Sequence, residues 1–522
     1  MIASAGNPTT PPAIQPPAPP SVLRTSPALV ILAVAIGCSS NFADPDLWTH
    51  ILAGREILHS GHIPLRDFYS YSAAGLPWHN HEWLAQVILT LAYDGLGVFG
   101  LKLLKLLCTS AVVVALAAGL ARTAAPLGVQ RILLLAAAVG AMAQIQFRPQ
   151  LFTFAMLSVL MAILAEEIYR RRARLWPLIP MFALWANLHG GFVIGVVLLG
   201  VCSVTLGLWE LLASGRIARA WRIAAVTIGC AFATLLNPLG IGLWPNVIHS
   251  VSDPLIRKFI TDWLPLTRSI LDTWHQAPLD DLRYFFAVLL FLGFLVSILA
   301  APAADDAPLV ASALLMIGAA FYSSRNITLA VICLTIPFAH HLGLALQKLP
   351  RTEHNRKVVR SSPLLLGVAA LLIATAGGVF SNRLRTWAPV PSGVVAFMKL
   401  HNLHGNILNH FDWGGYLIWH GAPQSRVFVD GRSELVYPDR LLHEYIAFLY
   451  GLPGGAKILD HYPHNFVLAK PDTRAYQIVA ADPRWKLVYR DSVSALFAKA
   501  QNPATKYSAR STAEPFAPSL FP

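Results

Sequence analysis

Eleven stretches of this chain are apolar over roughly the length that crosses a lipid bilayer, and that count restricts the fold more than any other feature. They run over 27–43, 98–121, 132–147, 150–168, 175–189, 191–213, 222–237, 283–301, 307–323, 326–346 and 362–380. A helical span needs about 20 such residues. With no water inside the bilayer to satisfy backbone groups, these runs are predicted to be helices. Composition agrees: 55% of the 522 residues are hydrophobic and 13% are charged, where a soluble domain carries about 25% charged residues.

The formal charge of +13 raises nucleic acid as a partner. Its distribution argues against that, because the basic residues sit in short loops between apolar runs, as the positive-inside rule describes. Arg24, Arg122 and Arg131, Arg170 to Arg174, Arg216 to Arg222, and Lys348 to Arg360 all fall on one side if the N-terminus is cytoplasmic. Among the inner loops only Ala301–Ala307, with Asp305 and Asp306, lacks positive charge. This parity requires residues Trp83 to Gly97 to lie along the interface as a helix rather than to span.

Residues 1–26 are Pro-rich and predicted to be disordered. The first apolar run is expected to be a retained anchor rather than a cleaved leader. All five cysteines lie inside apolar runs, so neither a disulfide framework nor a thiolate metal site is expected.

That topology puts the unusual polar segments on the outer face. The outer loop, 44–97, opens with Asp44-Pro45-Asp46 and carries His79, His81 and Glu82. The two aspartates either cap the helix starting near Leu47 or act as base or metal ligand. His79, His81 and Glu82 either anchor the interface or hold a divalent ion, with magnesium, manganese or zinc as candidates. Arg148 and Arg325, each at the outer end of a span, either snorkel to head groups or grip a lipid phosphate in a guanidinium fork. His189, ahead of Gly190-Gly191, faces a pocket or is an ordinary buried histidine. Trp48 belongs to an aromatic belt or stacks on a sugar ring.

From about 390 to 500 the composition becomes that of a soluble domain, with β-like runs at 406–409, 426–429, 465–470, 486–490 and 494–499 and helices between them. This predicts a small extracytoplasmic α/β domain with a partly parallel sheet. Asp430 and Arg432 follow its second strand, either as a self-contained turn pair or as ligand contacts at a strand's carboxyl end. The tail 501–522 reads as disordered.

One span, an outer loop opening on an acidic pair, an interfacial helix and a second span beginning at Gly97-Val98-Phe99-Gly100 together resemble the GT-C superfamily of multi-spanning glycosyltransferases, nearest to its protein mannosyltransferase and aminoarabinose transferase branch. The resemblance implies a bacterial inner-membrane enzyme. It would move a sugar from a polyprenyl-phosphate carrier, held among membrane lipid, to a glycan, lipid or protein acceptor on the outer face. It implies an acidic catalyst at Asp44, with Asp46 as the alternative. Relatives often use a second acidic loop motif, for which only Asp253 or Asp262 is available here. Two other classes are kept open: a flippase for lipid-linked saccharides, which calls for ionisable residues near mid-membrane, and a non-catalytic scaffold.

Overall fold

The apolar runs fold as helices in the computed structural model, which describes residues 26–141, 144–252, 263–276, 278–349, 363–376, 378, 381, 383–386, 389–507, 510–511 and 520–521. Asp253 and Asp262 lie outside these. Five helices are long and apolar enough to cross a membrane: Trp83–Leu120, Gln150–Arg170, Phe192–Ser214, Ala218–Leu236 and Ser324–Gln347. Six shorter apolar helices, Pro27–Cys38, Leu127–Ala141, Leu178–Leu188, Tyr284–Ala300, Ala307–Tyr322 and Leu366–Thr375, fall on the remaining runs.

Side-chain contacts sort the connecting loops into two sets at opposite ends of the bundle. At one end Arg122 pairs with Glu166, Arg219 reaches Glu167, and Tyr169 donates to Asp306. At the other, Arg148 meets Asp44, Trp83 donates to Asn187, and Asn237 bridges Ala186 and Asn187. These are the loops that the charge pattern assigned to the inner and outer faces.

The helix Trp83–Leu120 breaks at Gly97, whose backbone is at φ 60° and ψ −146°. A Cβ there would meet no atom within 4 Å, so what demands glycine is the backbone conformation alone. Gly97→Val is expected to destabilise the protein by about 1–3 kcal/mol, read as a lower melting midpoint in detergent. An unchanged midpoint would mean that the bend re-forms elsewhere.

Nine strands are present among the described residues: β1 (Phe42–Ala43), β2 (Leu384–Thr386), β3 (Asn406–Leu408), β4 (Arg426–Val427), β5 (Phe466–Ala469), β6 (Trp485–Arg490), β7 (Ala495–Lys499), β8 (Arg510–Ser511) and β9 (Leu520–Phe521). Six make a mixed sheet in the order β4-β3-β5-β7-β6-β8, with β3 parallel to both β4 and β5. The other three, β1-β2-β9, tie the start of the outer loop to the segment leaving the last apolar helix and to the chain's end. The tail expected to be disordered is thus partly structured: Ala504 is buried, and Phe521 packs 5.0 Å from Trp48.

The outer loop is fastened along the edge of this sheet. Ser70 forms a parallel bridge to Val427, Tyr71 N–H donates to Val427 O (3.1 Å), and His79 N–H donates to Leu435 O (2.9 Å). Such pairing satisfies backbone groups that an open edge would leave bare. Trp78, Tyr69 and Ala73 from the loop join the buried core of the C-terminal sheet. The domain is therefore a fixed roof over the outer end of the bundle.

Candidate active site

Pairing of β1 with β2 fixes the backbone just ahead of the acidic pair. Asp44 is buried, and both its oxygens are used. Its Oδ1 accepts the Asp46 N–H (3.0 Å), and its Oδ2 accepts Arg148 Nε–H (2.8 Å) and Nη2–H. Arg148 comes from the turn that leads into the helix Gln150–Ala165, so the ion pair joins the outer loop to that helix. The local turn and the long-range pair are thus made by the same carboxylate.

Asp46 has a different setting. Half-buried at the start of the helix Leu47–Ser60, it sees Asp44, Asp430 and Glu82 as neighbouring negative charges, with Arg148 opposing them. Burial first, then the Asp44 charge, pushes its pKa well above the ordinary carboxylate value. Gly431 passes so close that a Cβ on it would collide with the Asp46 carboxylate, which explains a glycine between Asp430 and Arg432. One turn further on, His50 also lies in this field, its pKa lowered by burial despite Glu82 and Asp44. The sequence reading missed His50, although its spacing of four from Asp46 on a helix was a usable signal.

Glu82 faces two imidazoles, with its Oε1 at 3.8 Å from His81 Nε2 and 3.7 Å from His189 Nε2. His189 Nδ1 accepts the Gly191 N–H (2.9 Å) and lies 2.9 Å from Thr153 Oγ1, whose oxygen already accepts from Trp185 Nε1 (2.8 Å). That chain of donors leaves the proton of a neutral His189 on Nε2, turned toward Glu82. Arg325 and Arg148 both lie near enough for their charges to act on His189. Arg325 lies 4.8 Å over the Trp263 ring, and its Ser324 neighbour is fixed by Leu264 O and Gln144.

Asp44, Asp46, Arg148, His189 and Arg325 therefore share one polar region at the outer end of the bundle. Three other expectations require correction. Trp48 is 1% exposed, wedged against Tyr416 and Phe521, and presents no face to a sugar. Arg432 points into the protein: it holds Asp430 (2.6 Å) and Asp67 (2.7 Å), with its guanidinium 5.1 Å over Tyr69 and 4.7 Å over Trp78. Asp430 is fully buried and takes a further hydrogen bond from Tyr437 (2.7 Å), so the pair is a structural tie whose carboxylate acts on Asp46 only through its field.

The third correction concerns a metal. His79 Nδ1 lies 3.0 Å from Asn246 Nδ2. Among the described residues no group of three His, Cys, Asp or Glu side chains is arranged to hold an ion. With His79 Nδ1 on Asn246 and no such group among the described residues, His79, His81 and Glu82 do not fit a divalent cation.

No family model and no curated sequence matches the chain. Solved structures do match in fold. The oligosaccharyltransferase of Archaeoglobus fulgidus in its apo form superposes with a TM-score of 0.55 at 11% identity, over 85% of this chain and 69% of that one. AglB from the same organism, in complex with an inhibitory peptide and a dolichol-phosphate, gives 0.54 at 12% identity, over 86% and 70%. ArnT from Cupriavidus metallidurans bound to undecaprenyl phosphate aligns over 91% of this chain and 97% of that one at 13% identity, with a lower TM-score of 0.44. Identities this small speak for architecture alone. In its fold, the chain is similar to the GT-C glycosyltransferases.

Proposed function

We propose that the protein transfers a sugar from a polyprenyl-phosphate carrier to an acceptor hydroxyl on the outer face of a bacterial inner membrane. The observation that carries this reading is that Asp46, a carboxyl made more basic by burial and by Asp44, shares a polar region with the guanidinium groups of Arg148 and Arg325. Support for the donor class comes from AglB, a match in fold that was solved with a dolichol-phosphate.

The acceptor oxygen attacks the anomeric carbon as the bond from that carbon to the carrier phosphate breaks. Asp46 takes the acceptor's proton, a role that suits a carboxylate made more basic by its neighbours. The departing phosphate gains negative charge, which Arg148 and Arg325 offset. Donors already held in place when charge develops are the strongest single aid to such a transfer. Asp44 keeps Arg148 oriented, while Glu82 and His189 lie in the same polar region.

Binding of undecaprenyl phosphate to the purified protein tests the arginines directly. Arg148→Ala and Arg325→Ala are each expected to weaken it by about 1.5–3 kcal/mol, roughly ten- to hundredfold. If neither variant changes the affinity, the carrier phosphate is held elsewhere and the assignment fails.

A further inference from the structure

A polar cavity of about 310 Å³ opens at the opposite end of the bundle from Asp46. Four guanidinium groups line it: Arg122, Arg170, Arg171 and Arg219. The positive-inside rule accounts for arginines at this end. It does not account for their facing one concavity, nor for three further details.

The first is local geometry. The helix Gln150–Ala165 ends in a π-turn over Glu166–Arg170, a form that recurs at functional sites. Immediately after it, Arg171 has φ 56° and ψ 33°, the left-handed region that residues other than glycine, asparagine and aspartate seldom adopt. Glycine or asparagine would ordinarily fill such a helix end. An arginine there is held in an unfavourable backbone state with its charge at the mouth of a cavity.

The second is unused donor capacity. Glu166 takes Nε of Arg122, yet Arg122 Nη1 is buried with no hydrogen-bond partner among the described residues. Glu167 and Glu210 hold Arg219 at 3.4 and 3.9 Å. Arg170 and Arg171 have no ion pair among the described residues. Only Asp305 brings a negative charge to the lining itself. A buried guanidinium N–H without an acceptor costs free energy that an incoming anion would recover.

The third is rigidity. Tyr169 stacks on His340 with ring centroids 4.6 Å apart and donates to Asp306 Oδ2 (2.8 Å), while His340 Nδ1 accepts the Ala124 N–H (3.4 Å). The wall is thus fixed before any ligand arrives, which lowers the ordering cost of binding.

We infer that this cavity binds a phosphate group. Several guanidinium forks lining one space suit a phosphate, whose several oxygens can take a fork each and whose charge can offset more than one cation. Trp209 adds an apolar side chain to the lining. Two sources of the group share this chemistry: the head group of an anionic phospholipid in the adjoining leaflet, or a soluble phosphate.

The test is the melting midpoint of the purified protein in neutral detergent, with phosphatidylglycerol, phosphatidylcholine or inorganic phosphate added. Arg171→Gly removes the charge while relieving the left-handed backbone, so its midpoint without ligand should equal or exceed that of the unaltered protein. Arg170→Gln is the companion variant, with an unstrained backbone. In the unaltered protein, phosphatidylglycerol raises the midpoint and phosphatidylcholine does not. Both variants lose most of that rise. A rise with phosphatidylglycerol alone identifies a lipid head group, and a rise with inorganic phosphate too identifies the phosphate group as sufficient. No rise with either anion overturns the inference. So does a rise that both variants keep in full, which would trace the anion to the Arg148–Arg325 end.

Discussion

Asp46→Asn is expected to lower sugar transfer by about 10²- to 10⁴-fold, the usual range for losing a general base. An amide of the same shape cannot take the acceptor's proton. Carrier binding should hold within about twofold, because that loss is confined to the transition state. The pH profile gives a second reading of the same group. Burial and the charge on Asp44 raise the Asp46 pKa well above the ordinary carboxylate value. Activity should therefore climb with pH through that raised value rather than through the usual carboxylate range. Stability should move in the opposite sense. A carboxyl whose folded pKa is raised contributes stability fully below its unfolded pKa and loses it as pH rises through the folded one. Since the amide does not ionise, Asp46→Asn should melt higher than the unaltered protein at neutral pH, with the gap closing in acid. An inactive variant that is also less stable at neutral pH would point to a structural role.

Arg432→Met should cost about 3–5 kcal/mol, the penalty for stranding buried carboxylates without their cation. Asp430 and Asp67 would both be left in the interior, one on the C-terminal domain and one on the outer loop. The loop strand at Ser70–Tyr71 would then lose its main electrostatic tie to the sheet. Limited proteolysis should cut the outer loop, and the melting midpoint should fall. Arg432→Lys should recover only part of the loss, because one ammonium cannot bridge two carboxylates as a guanidinium fork does. If Arg432→Met melts like the unaltered protein yet fails to bind carrier, Arg432 is a ligand contact after all.

The contrast between these two residues shows what a sequence can reveal. Apolar length and basic loops marked out the helices, because bilayer thickness and charge act on local segments. The break at Gly97 was legible for the same reason, as were the strands around Asn406 and Phe466. The pairing of Arg432 with Asp430 was half legible, lying two residues apart. Its second partner, Asp67, comes from the other end of the chain. Likewise the ion pair of Asp44 with Arg148, and the contact of His79 with Asn246, depend on folding together segments far apart in sequence. Trp48 was read as a belt or stacking residue because nothing local reveals that Tyr416 and Phe521 enclose it. The helix Gly414–Gly421 also went unread, since two glycines open it and glycine is a poor helix former. Close packing against Val429, Asp430 and Thr49 leaves no room for larger residues there.

The account is tested most directly by a cryo-EM map of the protein with undecaprenyl phosphate. It predicts density for the phosphate within hydrogen-bonding distance of Arg148 and Arg325, on the Asp46 side of the bundle and beneath the C-terminal sheet. A carrier phosphate resolved away from both arginines would contradict it.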